Sequence, residues 1–161
     1  MNAPGLLLYT GIALRDDSVV AKDGLSGVLS SKPHVCLYTD PIAAATRARQ
    51  RYYADVLVLR VDAANLGASL MGPHREALEE ALIRRRDTRS WRNISWRESL
   101  KIAGRCTFSG TIHEKSLHVV AYAPLMGATI EVDRTLPEWV RFIASEKTLD
   151  LHAPRPRRLA A

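Results

Sequence analysis

The chain has 161 residues, of which 47% are hydrophobic and 25% are charged, and its formal net charge is +6. This length and balance suit one soluble globular domain with a packed core. No window of about 18 apolar residues occurs, which excludes a transmembrane helix, and the N-terminus lacks the basic and apolar regions of a signal peptide. We therefore expect a cytoplasmic protein that has no membrane partner.

Runs of apolar and β-branched residues predict the strands. Three are expected in the first half of the chain, over residues 5–10, 34–39 and 55–62. Three shorter strands are expected later, over residues 105–111, 117–123 and 128–132. The run over 55–62 is the clearest of the six, because apolar and β-branched residues fill most of it.

Capping signals predict the helices of the first half. A short helix over residues 17–23 ends at Gly24, a residue type typical of the position after a helix. A loop rich in glycine, serine and proline follows. Asp40 and Pro41 then supply an N-cap and a first helical residue, so the next helix runs through residues 43–52.

Similar signals predict three helices in the second half. Pro73 is expected at the first position of a helix whose glutamates come early and whose arginines, residues 84–86, come late, which complements the helix dipole. The Ser95–Glu98 segment is a capping box that begins a helix ending at Gly104. A second capping box, Thr135–Glu138, begins the last helix.

The mixture of strands and helices predicts one α+β domain over residues 1–150, since no internal repeat or linker divides the chain. Residues 151–161 are rich in proline and arginine and are expected to form a flexible basic tail. Cys36 and Cys106 lie in strand-like apolar runs. We expect both to be reduced, buried thiols, with a disulfide as the less favoured alternative. No cysteine and histidine spacing suits zinc.

Basic residues are concentrated between Arg84 and Arg105, where eight lysines and arginines accompany only Asp87 and Glu98. Such a segment attracts phosphate-bearing partners, either a nucleic acid or a nucleotide, and also suits an acidic protein surface. An ordinary solvated basic face is the alternative. Trp91 and Trp96 in this segment are suited to stacking on a base, or to packing in the core.

No short motif establishes a chemistry, because the chain has no P-loop, no G-x-G-x-x-G and no H-E-x-x-H. Several weaker segments occur in a defined order: Leu8–Ile12, Asp23–Leu25, His34–Pro41, Val56–Ala63, Glu98–Leu100 and Phe108–Ile112. This order resembles the small ADP-ribosyltransferase superfamily, especially RNA 2′-phosphotransferases and related phage and bacterial domains. The similarity covers roughly residues 6–65 and 98–120.

The resemblance implies a split antiparallel β-sheet core with flanking helices that clamps NAD. Thr10 and Gly11, preceded by Tyr9, match the first-strand position that contacts the nicotinamide ribose and amide, where the family usually has histidine or arginine before the glycine. Cys36 falls on the second family position. Tyr38 shares its strand face, because side chains alternate with period two, and would stack on the nicotinamide ring. A half-buried strand tyrosine is the alternative for Tyr38.

The third family position, a glutamate in many relatives, falls on Arg105 or one residue to either side. That glutamate stabilises the positive charge of the sugar as nicotinamide leaves. An arginine opposes this charge, but it can bind the NAD diphosphate or a substrate phosphate bidentately. The alternative for Arg105 is a strand-edge surface cation. Glu131 and Asp133 are candidates for the missing carboxylate. His34 is a candidate acid or base, with an ordinary strand-end histidine as the alternative.

Two functions follow from the resemblance. The first is an NAD-dependent transferase that moves ADP-ribose to a protein or nucleic-acid acceptor and releases nicotinamide, with Arg105, Thr10 and Tyr38 as catalytic residues. The second is a domain that keeps this fold without its chemistry and acts by binding a nucleic acid or a protein, because all three signature positions are replaced.

Overall fold

The computed structural model describes residues 5–13, 34–113, 116–136 and 138–139. In these residues the chain forms seven strands: β1 (Leu7–Ala13), β2 (Val35–Tyr38), β3 (Val56–Asp62), β4 (Met71–Pro73), β5 (Arg105–Phe108), β6 (Leu117–Ala123) and β7 (Ile130–Thr135). It also forms the helices α1 (Pro41–Tyr52), α2 (Arg75–Arg84) and α3 (Trp96–Ala103). Short 3-10 turns lie at Ala63–Asn65, Ala68–Leu70 and Trp91–Asn93.

The strands form one antiparallel sheet in the order β4-β5-β2-β1-β3-β6-β7. Strand β3 lies inside this sheet, and its residues Val56 to Leu59 are fully buried. An antiparallel sheet with three α-helices is an α+β architecture, which confirms the fold class expected from the sequence. Among the described residues, no helix is both long and apolar enough to cross a membrane.

The sheet is split between β1 and β2. Strand β1 pairs with β3 along all of Leu7–Ala13, but its described pairing with β2 is the single pair Tyr9 and Tyr38. Beyond that pair, the two strands separate as β1 continues towards residue 13 and β2 extends back towards residue 34. The separation leaves a gap in the middle of the sheet.

Helix α1 lies very close to one face of the sheet because only small residues meet there. Its Ala44, Ala45 and Ala48 are buried. A Cβ atom added at Gly11 of β1 would lie 2.5 Å from the Cβ of Ala48 and 2.9 Å from the carbonyl oxygen of Ala44. Gly11 therefore allows the helix backbone to approach the strand, which brings α1 to the edge of the gap.

The opposite face carries the larger core. It contains buried leucines of β1, β2 and β3, among them Leu8, Leu37 and Leu57, together with Leu100 of α3. Helices α2 and α3 pack on each other through a separate cluster that includes Leu78 and Leu82. This arrangement places the starts of α2 and β5 beside β2, on the other side of the gap from α1.

The capping signals place α1 and α3 correctly. Asp40 caps α1 by accepting a hydrogen bond from the Ile42 N–H at 3.0 Å. The Ser95–Glu98 capping box is present, and α3 ends at Gly104, whose φ of 73° lies in the left-handed region. Thr135 and Glu138 also exchange the two hydrogen bonds of a capping box. Residues 136, 138 and 139 are helical, and the rest of the helix predicted here lies outside the described residues.

Several predicted boundaries were wrong. Pro73 does not begin α2: it ends the unpredicted strand β4, and His74 is the N-cap. Strand β5 ends at Phe108 rather than at residue 111, and β7 begins at Ile130 rather than at residue 128. Strand β1 begins at Leu7 and continues to Ala13, since its pairing with β3 extends that far.

Other predictions fall outside the described residues. These are the helix over residues 17–23, the loop that follows it, and the tail over residues 151–161. The extent of the domain, residues 1–150, likewise stays a prediction.

Candidate functional site

A cavity of about 360 Å³ opens where β1 and β2 separate. Residues 10–12 of β1 form one side, and residues 34–36 together with Tyr38 form the other. Helix α1 contributes residues from its second and third turns, and the starts of α2 and β5 complete the wall. The cavity is therefore a direct consequence of the split in the sheet.

The structure brings most of the predicted site residues to this cavity. Thr10, Gly11, Cys36, Tyr38 and Arg105 all line it. Thr10 is buried and shares its face of β1 with the core residues, whereas Cys36 and Tyr38 lie on the other face of the sheet. These residues reach one space because the strands have separated between them.

Tyr9 is placed differently from the other predicted contacts. It is paired with Tyr38 across the two strands, and its side chain packs against the alanine-rich cluster beneath α1. It is not among the residues that line the cavity. The position of Tyr9 therefore suggests support for Tyr38 and α1 rather than contact with a ligand.

Cys36 and Tyr38 lie on the same face of β2 and both line the cavity. Burial raises the pKa of the Cys36 thiol, and the nearby guanidinium groups of Arg105, Arg51 and Arg47 offset this only in part. Burial also raises the pKa of Tyr38, and the Cys36 thiol raises it further. Both groups are neutral at pH 7, so Cys36 is not an activated nucleophile.

Three arginines, Arg47, Arg51 and Arg105, lie near the neutral side chains of Cys36 and Tyr38. Arg47 and Arg51 are one turn apart on α1, and Arg105 begins β5. The guanidinium of Arg105 lies over the Tyr38 ring, 5.6 Å from its centroid. Within the described part of the chain, none of the three arginines forms an ion pair. Three guanidinium groups without an ion pair among the described residues give this part of the cavity a positive charge, which would favour an anionic ligand.

Two histidines stand beside Arg105. The rings of His34 and His74 meet edge to face with their centroids 6.2 Å apart. His74 is the N-cap of α2: its Nδ1 accepts a hydrogen bond from the Ala77 N–H at 3.2 Å. Burial lowers the pKa of His74, and the charges of Arg105 and His34 lower it further. The neutral ring that results carries its proton on Nε2 and can donate it to a ligand.

The cap at His74 predicts a stability that depends on pH. Protonation must place a hydrogen on Nδ1, which removes the acceptor for Ala77 and adds a cation near Arg105. Because the folded-state pKa lies below the ordinary 6.5, the unfolded chain binds more protons as the pH falls through 6.5. The free energy of unfolding, measured by urea titration, should therefore fall between pH 7 and pH 5.

His74→Asn is the matched variant for this prediction, because asparagine also caps a helix but does not titrate in this range. We expect its stability to change less than that of the wild-type protein over the same pH range. An equal fall in both proteins would show that another group causes the acid sensitivity.

Among the described residues that line the cavity, Glu76 is the acidic one. It lies in the first turn of α2, where its neighbours Glu79 and Glu80 pair with Arg75 and Arg84. Within the described residues, no salt bridge involves Glu76. Glu76 is also exposed, so its carboxylate is accessible to a ligand at the cavity.

The carboxylates proposed from the sequence lie elsewhere. Glu131 and Asp133 are on β7, at one edge of the sheet, and neither lines the cavity. Asp133 instead contacts His118 of β6. Sequence position alone suggested these two residues, and two strands, β3 and β6, lie between β7 and β1 in the sheet. His34, the proposed acid or base, does line the cavity.

The basic segment between Arg84 and Arg105 divides into two parts. Arg105 belongs to the cavity, whereas the other cations are exposed on the end of α2, the following loop and α3. Trp91 has the guanidinium groups of Arg75 and Arg92 over its ring, at 5.6 and 5.7 Å from the centroid. Arg97 lies 4.5 Å from the centroid of the Trp96 ring. Both tryptophans are half-buried and pack against core clusters.

The cavity residues missed from the sequence include the charged or titratable residues Arg47, Arg51, His74 and Glu76. The spacing of Arg47 and Arg51 on a predicted helix was a usable signal, because residues four apart share a helix face. His74 and Glu76 give no comparable signal, because the sequence pattern predicts a helix start at Pro73 rather than an N-cap at His74.

Comparisons with known proteins add little to this geometry. No family model matches the sequence, and no curated protein matches it significantly. Among solved structures, the chain is similar to EcPltA with a TM-score of 0.39 and 16% identity, over 73% of this chain and 75% of that one. A similarity this low carries no argument about either fold family or function.

Proposed function

We propose that this protein is an NAD-dependent transferase that moves ADP-ribose to an acceptor and releases nicotinamide. The observation that carries the proposal is the cavity in the split sheet. Four residues suggested by the resemblance to ADP-ribosyltransferases line this cavity: Thr10, Gly11, Tyr38 and Arg105. The cavity volume lies in the range of small-molecule sites.

The residues present suit a dinucleotide. A diphosphate carries two negative charges, and the uncompensated guanidinium groups of Arg47, Arg51 and Arg105 can bind it through bidentate hydrogen bonds. The Thr10 hydroxyl and the His74 Nε2–H are donors for ribose or amide oxygens. Tyr38 offers an aromatic wall beside them. These groups would hold the substrate and exclude water from its reactive end.

Glu76 supplies the negative charge that the transferase chemistry requires. NAD provides ADP-ribose when the bond between its ribose and nicotinamide breaks, and positive charge then develops on the sugar. A carboxylate held near that charge lowers the barrier, and such electrostatic effects are often the largest catalytic contribution. Glu76 would thus take the role for which Arg105 has the wrong charge.

Binding and turnover of NAD test this proposal directly. Isothermal titration of the wild-type protein with NAD should show saturable binding, and Arg47→Ala and Arg105→Ala should weaken it at least about tenfold. Arg49→Ala is the control on the same helix, because its guanidinium donates to the Pro124 and Gly127 carbonyls instead. Absence of NAD binding by the wild-type protein would refute the proposal.

Arg105 also favours a second candidate, a binding domain without catalysis. An arginine at the expected glutamate position opposes positive charge on the sugar. The assay of nicotinamide release separates the two functions: NAD binding with no release in the presence of protein or nucleic-acid acceptors would support the second. Cys36 and Cys106 are free thiols, which suits the cytoplasmic location that we propose for either function.

We further propose that the acceptor is a nucleic acid bound along the exposed basic residues of α2, the loop and α3. Arg75 links this surface to the cavity: it lies between His74 and Glu76 in the chain, and its guanidinium reaches the Trp91 ring. A phosphate backbone that contacts Arg92, whose guanidinium also lies over the Trp91 ring, would therefore pass close to residues that line the cavity.

The salt dependence of binding tests this surface. The affinity for a fluorescent single-stranded RNA should fall steeply with salt, with a log–log slope of about −0.7 for each phosphate contact. The double variant Arg92→Ala/Arg97→Ala should reduce the slope, whereas Arg84→Ala, whose charge is paired with Glu80, should change it little. A flat slope, or no binding, would exclude a nucleic-acid acceptor and favour an acidic protein surface.

A further inference from the structure

One buried hydroxyl group joins two walls of the cavity. Ser99, in the middle of α3, is fully buried. Its Oγ donates a hydrogen bond to the carbonyl oxygen of Arg105 at 2.7 Å and accepts one from the backbone N–H of His74 at 3.0 Å. The same atom therefore contacts the first residue of β5 and the N-cap residue of α2.

Both partners of Ser99 present side chains to the cavity. The guanidinium of Arg105 and the imidazole of His74 are near enough for the charge of Arg105 to lower the pKa of His74. Ser99 makes hydrogen bonds to the backbones of Arg105 and His74, not to their side chains. It therefore fixes the backbone positions from which the two side chains extend, and leaves both side chains available to a ligand. Their relative position, and hence the spacing of the two donors, depends on this hydroxyl.

The turn between α3 and β5 gives this contact further weight. Gly104 adopts a left-handed conformation immediately before Arg105, so the chain changes direction sharply there. The carbonyl of Gly104 accepts the Thr39 N–H at 3.0 Å, which connects the turn to the end of β2. The hydrogen bond from Ser99 to the Arg105 carbonyl ties the other end of the turn to α3. These two hydrogen bonds, at Gly104 and at Arg105, hold the backbone of Arg105 so that its guanidinium lies over the ring of Tyr38.

We propose that Ser99 is a positioning residue that sets the geometry of a diphosphate-binding site through Arg105 and His74. The inference rests on the proposed function only in naming NAD as the diphosphate, because the same geometry would serve any ligand with that group. A purely structural role for Ser99 predicts a loss of stability alone. A positioning role predicts a loss of affinity that depends on Arg105.

The experiment compares Ser99→Ala with Ser95→Ala. Ser95 caps the same helix and does not touch the cavity, so its loss destabilises α3 without releasing Arg105. Binding of pyrophosphate and of NAD is measured by titration calorimetry, and stability by urea unfolding. We expect Ser99→Ala to weaken pyrophosphate binding roughly tenfold and Ser95→Ala to change it less than about twofold. Ser99→Cys, which keeps a weak donor, should bind with intermediate affinity and guards against a misfolded alanine variant.

A double-mutant cycle with Arg105→Ala completes the test. If Ser99 acts through Arg105, Ser99→Ala should weaken binding further by less than about twofold in the Arg105→Ala background. Equal losses with and without Arg105, or equal affinities of Ser99→Ala and Ser95→Ala, would overturn the inference. Pyrophosphate binding without NAD binding would refute the proposed function while leaving this comparison intact. Absence of binding of either probe would refute both proposals.

Discussion

Gly11→Ala should destabilise the protein by about 2–3 kcal/mol, because the added methyl group has no space between β1 and α1. Its Cβ would lie 2.5 Å from the Cβ of Ala48 and 2.9 Å from the backbone oxygen of Ala44. Neither obstacle is the end of a flexible side chain, so α1 must move away from the sheet. Urea unfolding should show a lower midpoint with an unchanged slope.

Gly67→Ala is the control for this prediction. The nearest atoms to a Cβ at Gly67 belong to Leu70 and lie 3.8 Å away, and its φ of −64° suits any residue. We expect its stability to stay within about 0.5 kcal/mol of the wild-type value. If the two variants had the same stability, the close contact between α1 and β1 would be wrong. Because Arg47 and Arg51 lie on α1, Gly11→Ala should also weaken NAD binding.

The parts of the fold that local chemistry determines could be predicted from the sequence. Asp40 and the Ser95–Glu98 segment cap helices through contacts within one turn, and the left-handed Gly104 ends α3 for an equally local reason. Strand β4 could not be predicted in this way. Its three residues, Met71–Pro73, include glycine and proline, and they form a strand only because β5 runs beside them.

The site was less predictable because it depends on contacts between distant segments. Thr10 and Tyr38 could be assigned from the ordered resemblance, but Arg47 and Glu76 face the cavity only after α1 and α2 have docked on opposite sides of the split. The docking of α1 depends on Gly11, a residue that the resemblance assigned to ligand contact. Its role in allowing α1 to pack closely on β1 depends on contacts with Ala44 and Ala48, which the sequence pattern does not show.

Glu76→Gln should reduce the rate of nicotinamide release by about 10²–10³-fold, the usual cost of removing one electrostatic contact to a transition state. Its effect on NAD affinity should be small or favourable, since the substitution removes a negative charge from a site that binds a diphosphate. The dissociation constant and the turnover rate should therefore change independently. Titration calorimetry and a single-turnover assay of nicotinamide release measure the two quantities.

Glu79→Gln is the matched control on the same helix. Glu79 is paired with Arg75 on the surface, and an exposed pair of this kind contributes about 0–1 kcal/mol, so neither binding nor turnover should change noticeably. A fall in turnover of less than about tenfold for Glu76→Gln would contradict the role of Glu76, because a carboxylate beside a developing positive charge contributes more than that. An equal fall in both variants would instead indicate a general effect of charge on α2. A loss of turnover in Glu76→Gln alone, with NAD binding retained, would show that a residue of α2 supplies the catalytic carboxylate. Arg105, the first residue of β5, would then occupy the position at which the resemblance leads us to expect that carboxylate.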